Sequence, residues 1–202
     1  MYVYRDLSPL TRVATITLWI YMPLQMLFGI LDYLQSAMRL PSLNRAAFFG
    51  PTEIVGVLTL IMLLACVIII GRWIYRASAN AHTIAPDLTI KAGWAVGWYF
   101  VPIANLFKPF QAMKEIWLAS RFGIDWQSHK APGHLTAWWT LWLITYFSGN
   151  AAGRLADTMP VASAVCNLIE GVVNVPLSFI LIRIMREIAS GQDVTRNHEV
   201  FA

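Results

Sequence analysis

Charge is scarce in this chain, and the scarcity decides its class. Only 13% of the 202 residues are Asp, Glu, Lys or Arg, while 57% are hydrophobic; soluble domains carry about a quarter charged residues. A water-filled surroundings is excluded for much of the chain, and a membrane is implied. Cysteine is nearly absent as well. Cys66 and Cys166 fall in separate apolar runs without paired spacing, which excludes a disulfide framework and a cysteine-built metal site. They read as small apolar residues within their spans. There is no serine-histidine-acid order, no glycine-rich phosphate loop and no pair of carboxylates, so enzyme activity, a cofactor and a metal are not expected. His129 and His134, near Asp125, are five residues apart, and that spacing does not place two ligands on one helix face. They read as part of a polar link from Asp125 to Gly133.

What the chain has in abundance is apolar runs. Val13 to Leu31 is long enough to cross the roughly 30 Å of hydrocarbon, which takes about twenty residues; Pro23 is expected to bend it. Ile54 to Gly71 is bounded by Glu53 and Arg72 and uncharged inside. Beyond it Arg72, Tyr75, Arg76 and Asn80 recur at helical spacing, so this helix is expected to continue as a basic stalk ending by Pro86. Leu135 to Asn150 carries Trp138, Trp139 and Trp142 at one edge, and Gly149 with Gly153 forms a GxxxG pair that permits close helix packing. A fourth span runs from Val161 to about Ile182, followed by a polar tail, residues 191–202, that is expected to be disordered. The expected fold is all-α: a single integral membrane domain, a four-helix bundle with spans of about 13–31, 54–71, 135–150 and 161–182.

Between the second and third of these lies KAGWAVGWYFVPIANLFKPFQAMKEIWLASRF, Lys91 to Phe122. Ala92 to Phe107 is too short to cross alone, and Pro102 removes a backbone donor and disfavours helix at Val101. Trp94, Trp98 and Tyr99 are rings that settle at headgroup level, and Gly93 and Gly97 leave a strip for close backbone approach. A re-entrant or interfacial segment over 92–107 fits. From Pro109, suited to a helix first turn, a cytoplasmic amphipathic helix over 109–122 places Phe110, Met113, Ile116 and Trp117 on one side and Gln111, Lys114, Glu115 and Arg121 on the other. It either lies on the membrane surface or packs against its own bundle.

The net charge is +4 with a pI near 9.3, but the basic residues flank apolar runs. That pattern speaks for orientation and anionic lipid rather than nucleic acid. With four spans, all of the 15 basic residues except Arg39, Arg45 and Arg154 share one side with both termini. Letting 92–107 cross would scatter them. The cytoplasmic side therefore holds both ends.

GWAVGWYFVPIANLFKPFQAMKEIWLAS, with WIYRASANA before it and WWTLWLITYFSGNAAGRL after it, resembles the signature of the bacterial membrane proteins grouped as domain of unknown function 4328. The matching residues include Gly93, Trp94, Gly97, Trp98, Pro102, Asn105, Lys108, Pro109, Gln111, Trp117, Asn150 and Arg154. The resemblance implies a multi-pass protein of the bacterial inner (cytoplasmic) membrane and brings no activity with it. The chain departs from the family at Thr145 and Tyr146, where members often carry an asparagine.

Two constellations remain. Glu170 falls near the middle of the fourth span, where an ionisable group is costly, and Asn167 and Asn174 lie on the same face with Ser178 a turn further. This intramembrane stripe reads either as a proton-linked or ligand-binding site or as a protonated acid bonded to neighbouring helices. Arg76, Lys91 and Lys108 are the candidates for lipid or anion contact, read against ordinary positive-inside anchoring. The function expected is a non-enzymatic membrane module that contacts lipid or a partner. The alternatives are a small transporter or proton-coupled channel using Glu170, and more weakly a membrane enzyme acting on headgroups. The expected partners are the bilayer, anionic lipids, and a second copy or another membrane protein.

Overall fold

The computed structural model describes residues 2–38 and 50–201, with side chains described through residue 194; Arg39 and Arg45 lie outside the described residues. Six α-helices follow one another, and among the described residues there is no strand: α1 Ser8–Ala37, α2 Pro51–Ile84, α3 Ala92–Gly97, α4 Lys108–Phe122, α5 Gly133–Leu155 and α6 Pro160–Phe201. Prolines mark their starts. Pro51 and Pro160 open α2 and α6, and Pro109 occupies the first turn of α4, where the missing N–H would have had no helical partner. α1 instead starts from Asp6, whose carboxylate accepts from the Ser8 amide at 2.8 Å.

Three helices are long and apolar enough to cross a membrane: α1, α2, and α6 over Pro160–Val194. α5 has the length, 23 residues, but its tryptophans, threonines and Asn150 dilute its apolar character. α1 runs past Leu31 to Ala37, so Asp32 lies inside a helix rather than after one. α2 continues past Gly71 to Ile84, as the basic stalk required. The expected polar tail is corrected: α6 carries on as helix through Phe201, with Gly191 and Gln192 buried.

The expected break at 92–107 is present in detail. α3 lasts six residues and gives way to a 3-10 turn at Trp98–Phe100. Val101 is extended, φ −96° and ψ 116°, because the Pro102 ring excludes the helical conformation from the residue before it. Ile103 then takes φ 67° and ψ −50°, with the Ala104 amide donating to the Pro102 carbonyl at 2.8 Å. This is a γ-turn of the rare, strained hand, at a β-branched residue for which positive φ is costly. A second 3-10 turn, Ala104–Leu106, leads into α4.

The chain forms two compact units. One comprises Met1–Thr15, Val67–Trp139 and Ile180–Ala202, the other Ile16–Cys66 and Thr140–Phe179. In the first, α4 buries Pro109, Ala112, Met113, Ile116, Trp117, Leu118, Ala119 and Ser120. The expected apolar side, Met113, Ile116 and Trp117, is buried and Gln111, Lys114 and Arg121 are exposed; with Leu118, Ala119 and Ser120 covered too, α4 packs within its own unit, the second of the two expected placements. In the second, α1 and α6 pass antiparallel at two glycines. A Cβ on Gly29 would meet the Asn167 carbonyl oxygen at 2.7 Å, and one on Gly171 would meet the Gln25 carbonyl oxygen at 3.0 Å. Backbone therefore lies on backbone. The expected GxxxG pair is half used: Gly149 faces the Glu170 carboxylate, whereas Gly153 has open space.

Candidate functional site

The first unit is closed by a set of buried amides that sequence reading missed. The Asn80 Oδ1 accepts from the Arg5 amide at 3.1 Å, and its Nδ2 donates to the Arg5 carbonyl at 2.8 Å and to Gln192 Oε1 at 3.0 Å. Gln192 Nε2 in turn donates to the Ala77 carbonyl at 2.9 Å and to Ser120 Oγ at 3.0 Å, and Ser120 donates to the Ile116 carbonyl at 2.6 Å. Asn80, Gln192 and Ser120 are fully buried, and each amide uses both its oxygen and its nitrogen. Buried polar groups so completely paired rigidify a core rather than catalyse. Nearby, the buried Trp73 indole donates to Thr11 Oγ1 at 2.9 Å. Four chain segments meet here: the N-terminal stretch, α2, α4 and α6. A signal was present in the sequence, since Asn80 sits among Ala77, Ala79 and Ala81, small residues that permit close approach.

A second polar cluster surrounds Glu187 on α6. Its carboxylate accepts from the Trp117 indole at 2.8 Å and Arg183 Nε at 2.8 Å, and lies 2.9 Å from His134 Nε2. Partial burial pushes the Glu187 carboxyl up, but the hydrogen bonds from Arg183 and Trp117 and the charges of His134 and Arg183 outweigh it, so the group is held below the usual carboxylate range. His134 is therefore engaged with a carboxylate, and His129 is stacked on Phe122 at 3.7 Å. The structure separates the two histidines by occupation.

The central stretch carries a group of exposed apolar side chains, and Val3, Ile68 and Ile124 of the same unit are exposed as well. Phe100 and Ile103 are 71% and 76% exposed, and Trp94 and Phe107 are exposed beside them. Trp94 and Trp98 pack together with ring centres 4.5 Å apart and planes tilted by 32°. The glycine strip is corrected here: the Trp94 ring covers Gly97, and Gly93 has no neighbour, so neither serves a backbone contact. The Lys108 ammonium lies 6.0 Å from the ring centres of both Trp98 and Phe107 and donates to Gln111 Oε1 at 3.1 Å. Pro102 is exposed. Asn105 is buried, and its Oδ1 has no partner among the described residues.

Of the expected lipid or anion contacts, Lys91 is exposed at the start of α3 and Lys108 is held over the aromatic rings. Arg76 is placed differently. It lines a cleft whose other basic residue is Arg5, and neither lysine belongs to that cleft.

In the second unit the stripe on α6 is partly engaged. Asn167 Nδ2 donates to Asp32 Oδ2 at 2.8 Å, and the Ser178 hydroxyl donates to Asn174 Oδ1 at 2.9 Å. Tyr21 of α1 is buried and lies near both Asn174 and Glu170. Glu170 itself has no hydrogen-bond partner among the described residues; its Oε2 lies 3.1 Å from where a Cβ on Gly149 would stand. Asn150 and Arg154 are exposed, and the Asn150 amide donates to the Tyr146 carbonyl of its own helix at 2.7 Å. Cys66 is buried and Cys166 is half-buried, and both are free thiols.

The broken segment with its tryptophans, Pro102, Asn105, Lys108 and Trp117 is the stretch on which the family resemblance rests. Residues 48–190 match the family described as domain of unknown function 4328. The chain belongs to this family. The match takes in α2 through most of α6, so it includes Asn80, Ser120, Trp117, His134 and Glu187, while Arg5 and Gln192 fall outside it. No curated protein and no solved structure matches the chain.

Proposed function

We propose that the protein is a polytopic membrane module of the bacterial cytoplasmic membrane that works by contacting lipid rather than by catalysis. In this reading α1, α2, α5 and α6 cross the bilayer as a four-helix bundle with both termini cytoplasmic, and residues 92–107 dip into the cytoplasmic interface. The observation that carries it is the tip at Phe100 and Ile103: two large apolar side chains, 71% and 76% exposed, held out by a strained backbone. Strain at a β-branched residue costs about 1–3 kcal/mol and persists where function uses it. An apolar tip followed by Lys108 over aromatic rings suits a headgroup boundary, where the rings enter the acyl region and the ammonium meets phosphate.

The test uses a chain with Cys66 and Cys166 replaced by Ala. A fluorophore on Ile103→Cys should be quenched by brominated lipid in vesicles of phosphatidylcholine and phosphatidylglycerol, whereas one on Ser128→Cys should not. A dry Ile103 probe in detergent that stays unquenched in vesicles would overturn the reading. The topology is tested in spheroplasts: Ser128→Cys should resist an impermeant thiol reagent until lysis, and Thr158→Cys should react before it. Labelling of Ser128→Cys from outside would mean that 92–107 crosses.

A second reading, a proton-coupled path along α6, is favoured by one observation. Glu170 lacks a hydrogen-bond partner while Asn167 and Asn174 have theirs, which is unlike a side chain used as structural glue.

A further inference from the structure

We propose that Arg5 and Arg76 form a binding site for a phosphate group, supplied either by an anionic phospholipid or by a free phosphate or phosphomonoester. They line one cleft of about 240 Å³ together with Tyr2, Val3, Tyr75 and Ala79. That volume is several times the ~30 Å³ share of a water molecule, so it admits a phosphate group with part of its hydration. No acid lines the cleft. Among the described residues neither guanidinium has a hydrogen bond or ion pair; Arg5 is engaged only through its backbone.

Two cations facing one cleft without a counter-charge repel each other unless an anion enters. Each guanidinium presents five N–H donors in a planar fork suited to two oxygens of a phosphate, and the other lining residues include two tyrosines, Tyr2 and Tyr75. The site contains donors and no carboxylate, so it discriminates in favour of an oxyanion.

The cleft is built rather than incidental. Its two cationic walls are fixed to each other by Asn80, which lies one helical turn after Arg76 on α2 and grips both the amide and the carbonyl of Arg5. The N-terminal segment is tied down on either side of Val3: the Tyr2 ring lies 5.1 Å from the His82 ring, and the Tyr4 hydroxyl donates to Asp193 at 2.7 Å. The neighbouring Asp6 is used by the start of α1. Preorganised walls of this kind lower the ordering cost of binding. Because Asn80 holds the backbone of Arg5, replacing that side chain leaves the clamp intact.

The lipid source rests on the proposed topology, in which α2 leaves the hydrocarbon near Gly71 and reaches Arg76 little more than a turn later, at headgroup depth. The free-phosphate source does not depend on it. Binding is therefore measured on the full chain in dodecyl maltoside, a detergent without phosphate, by titration calorimetry with inorganic phosphate, glycerol 3-phosphate and dioctanoyl phosphatidylglycerol, with dioctanoylglycerol as the neutral control.

Wild type should bind at least one phosphate-bearing probe and ignore the neutral one. Arg5→Gln/Arg76→Gln should weaken that probe about tenfold or more, the equivalent of ~1.4 kcal/mol, with an unchanged gel-filtration profile; Arg5→Gln alone should show part of the loss. Lys91→Gln/Lys108→Gln should bind as wild type. Binding of all three phosphate probes assigns a free phosphate or phosphomonoester, and binding of the phospholipid alone assigns a headgroup; either supports the site. Wild type that binds no phosphate probe, or an arginine double variant with wild-type affinity, overturns it. Failure here leaves the Ile103 quenching test untouched, because the cleft and the tip share no residue.

Discussion

Along α2, Leu60, Ile61, Leu64 and Ile68 stand 55, 55, 55 and 70% exposed, whereas Trp73, Ala77, Asn80 and Ala81 a few turns later are completely buried. Leu60, Ile61 and Leu64 belong to the unit of Ile16–Cys66 and Thr140–Phe179, whereas the second group, like Ile68 just past the boundary, belongs to the unit containing Val67–Trp139. Their interiors differ in the same sense. One unit leaves its aliphatic side chains outward and brings backbones together at Gly29 and Gly171, the way helices associate where lipid tails are as apolar as the side chains. The other is assembled as a water-facing domain is, with aromatic and apolar residues inside and every amide of Asn80 and Gln192 paired. The two stretches of α2 thus differ in character, and the change falls where Arg72 ends the apolar run.

The sharpest way to break this comparison is to remove the amide at the centre of the paired unit. Asn80→Leu leaves the Arg5 amide, the Arg5 carbonyl and Gln192 Oε1 without partners. Each unsatisfied buried group costs about 1–3 kcal/mol, so a loss of about 3 kcal/mol or more is expected, read as a large fall in the thermal midpoint in detergent. Gln192→Leu should follow closely. A midpoint within error of wild type for both would mean that the clamp contributes nothing.

Much of the helical order was legible beforehand because its causes are local. Pro102 acts on Val101, its neighbour, and Pro109 on its own turn, so a broken segment followed by a helix is readable from a few residues. The clamp was not legible for the opposite reason. Asn80 and Gln192 are 112 positions apart, and a polar run after Arg186 has the composition of a solvated tail until α4 is seen to lie against it through Ser120 and Gly191. Gly29 and Gly171 were missed because each is a lone glycine. Only the crossing of α1 with α6 makes them a pair, whereas Gly149 and Gly153 announce themselves by spacing and deliver one contact. The stripe residues Asn167, Glu170 and Asn174 do share a face, since periodicity fixes that. Which of them has a partner depends on Asp32 from another helix and on Ser178 a turn further along α6.

The glycines give the next largest effect and compare the two units directly. A Cβ at Gly191 would stand 2.5 Å from the Ser120 carbonyl oxygen, and one at Gly171 3.0 Å from that of Gln25. Gly191→Ala and Gly171→Ala should each cost about 1–3 kcal/mol through overpacking. Gly93→Ala and Gly153→Ala, which meet nothing within 4 Å, should stay within about 0.5 kcal/mol, as open surface positions do. Equal effects at all four positions would remove close approach as the reason for these glycines.

Glu170 should matter less to stability than either, because it has no hydrogen bond to lose. Glu170→Gln and Glu170→Leu should both keep the thermal midpoint within the shift expected for about 0.5 kcal/mol. If the carboxyl carries protons, both should abolish the proton flux read by a pH dye trapped in proteoliposomes. A Leu variant that loosens the bundle while Gln does not would instead return Glu170 to a structural role.

The smallest effect concerns the half-buried Glu187, where the paired unit meets water. Its folded carboxyl is held below its unfolded value of about 4.3 by the bonds and charges of Arg183, Trp117 and His134, against the opposing effect of burial. A depressed carboxyl stabilises the fold only while it is ionised. Its contribution is therefore complete above the unfolded value and disappears as the pH falls through the lower, folded one. Glu187→Gln removes this titration and keeps a group that can still accept from the Trp117 indole. Measured as thermal midpoints from pH 7 to pH 3, wild type minus variant should be constant down to about pH 5 and shrink below about 4.3. Other carboxylates titrate in both proteins and cancel in the difference. His134→Ala should narrow the same difference by removing one of the three donors, and a difference that widens toward low pH would reverse the assigned sign.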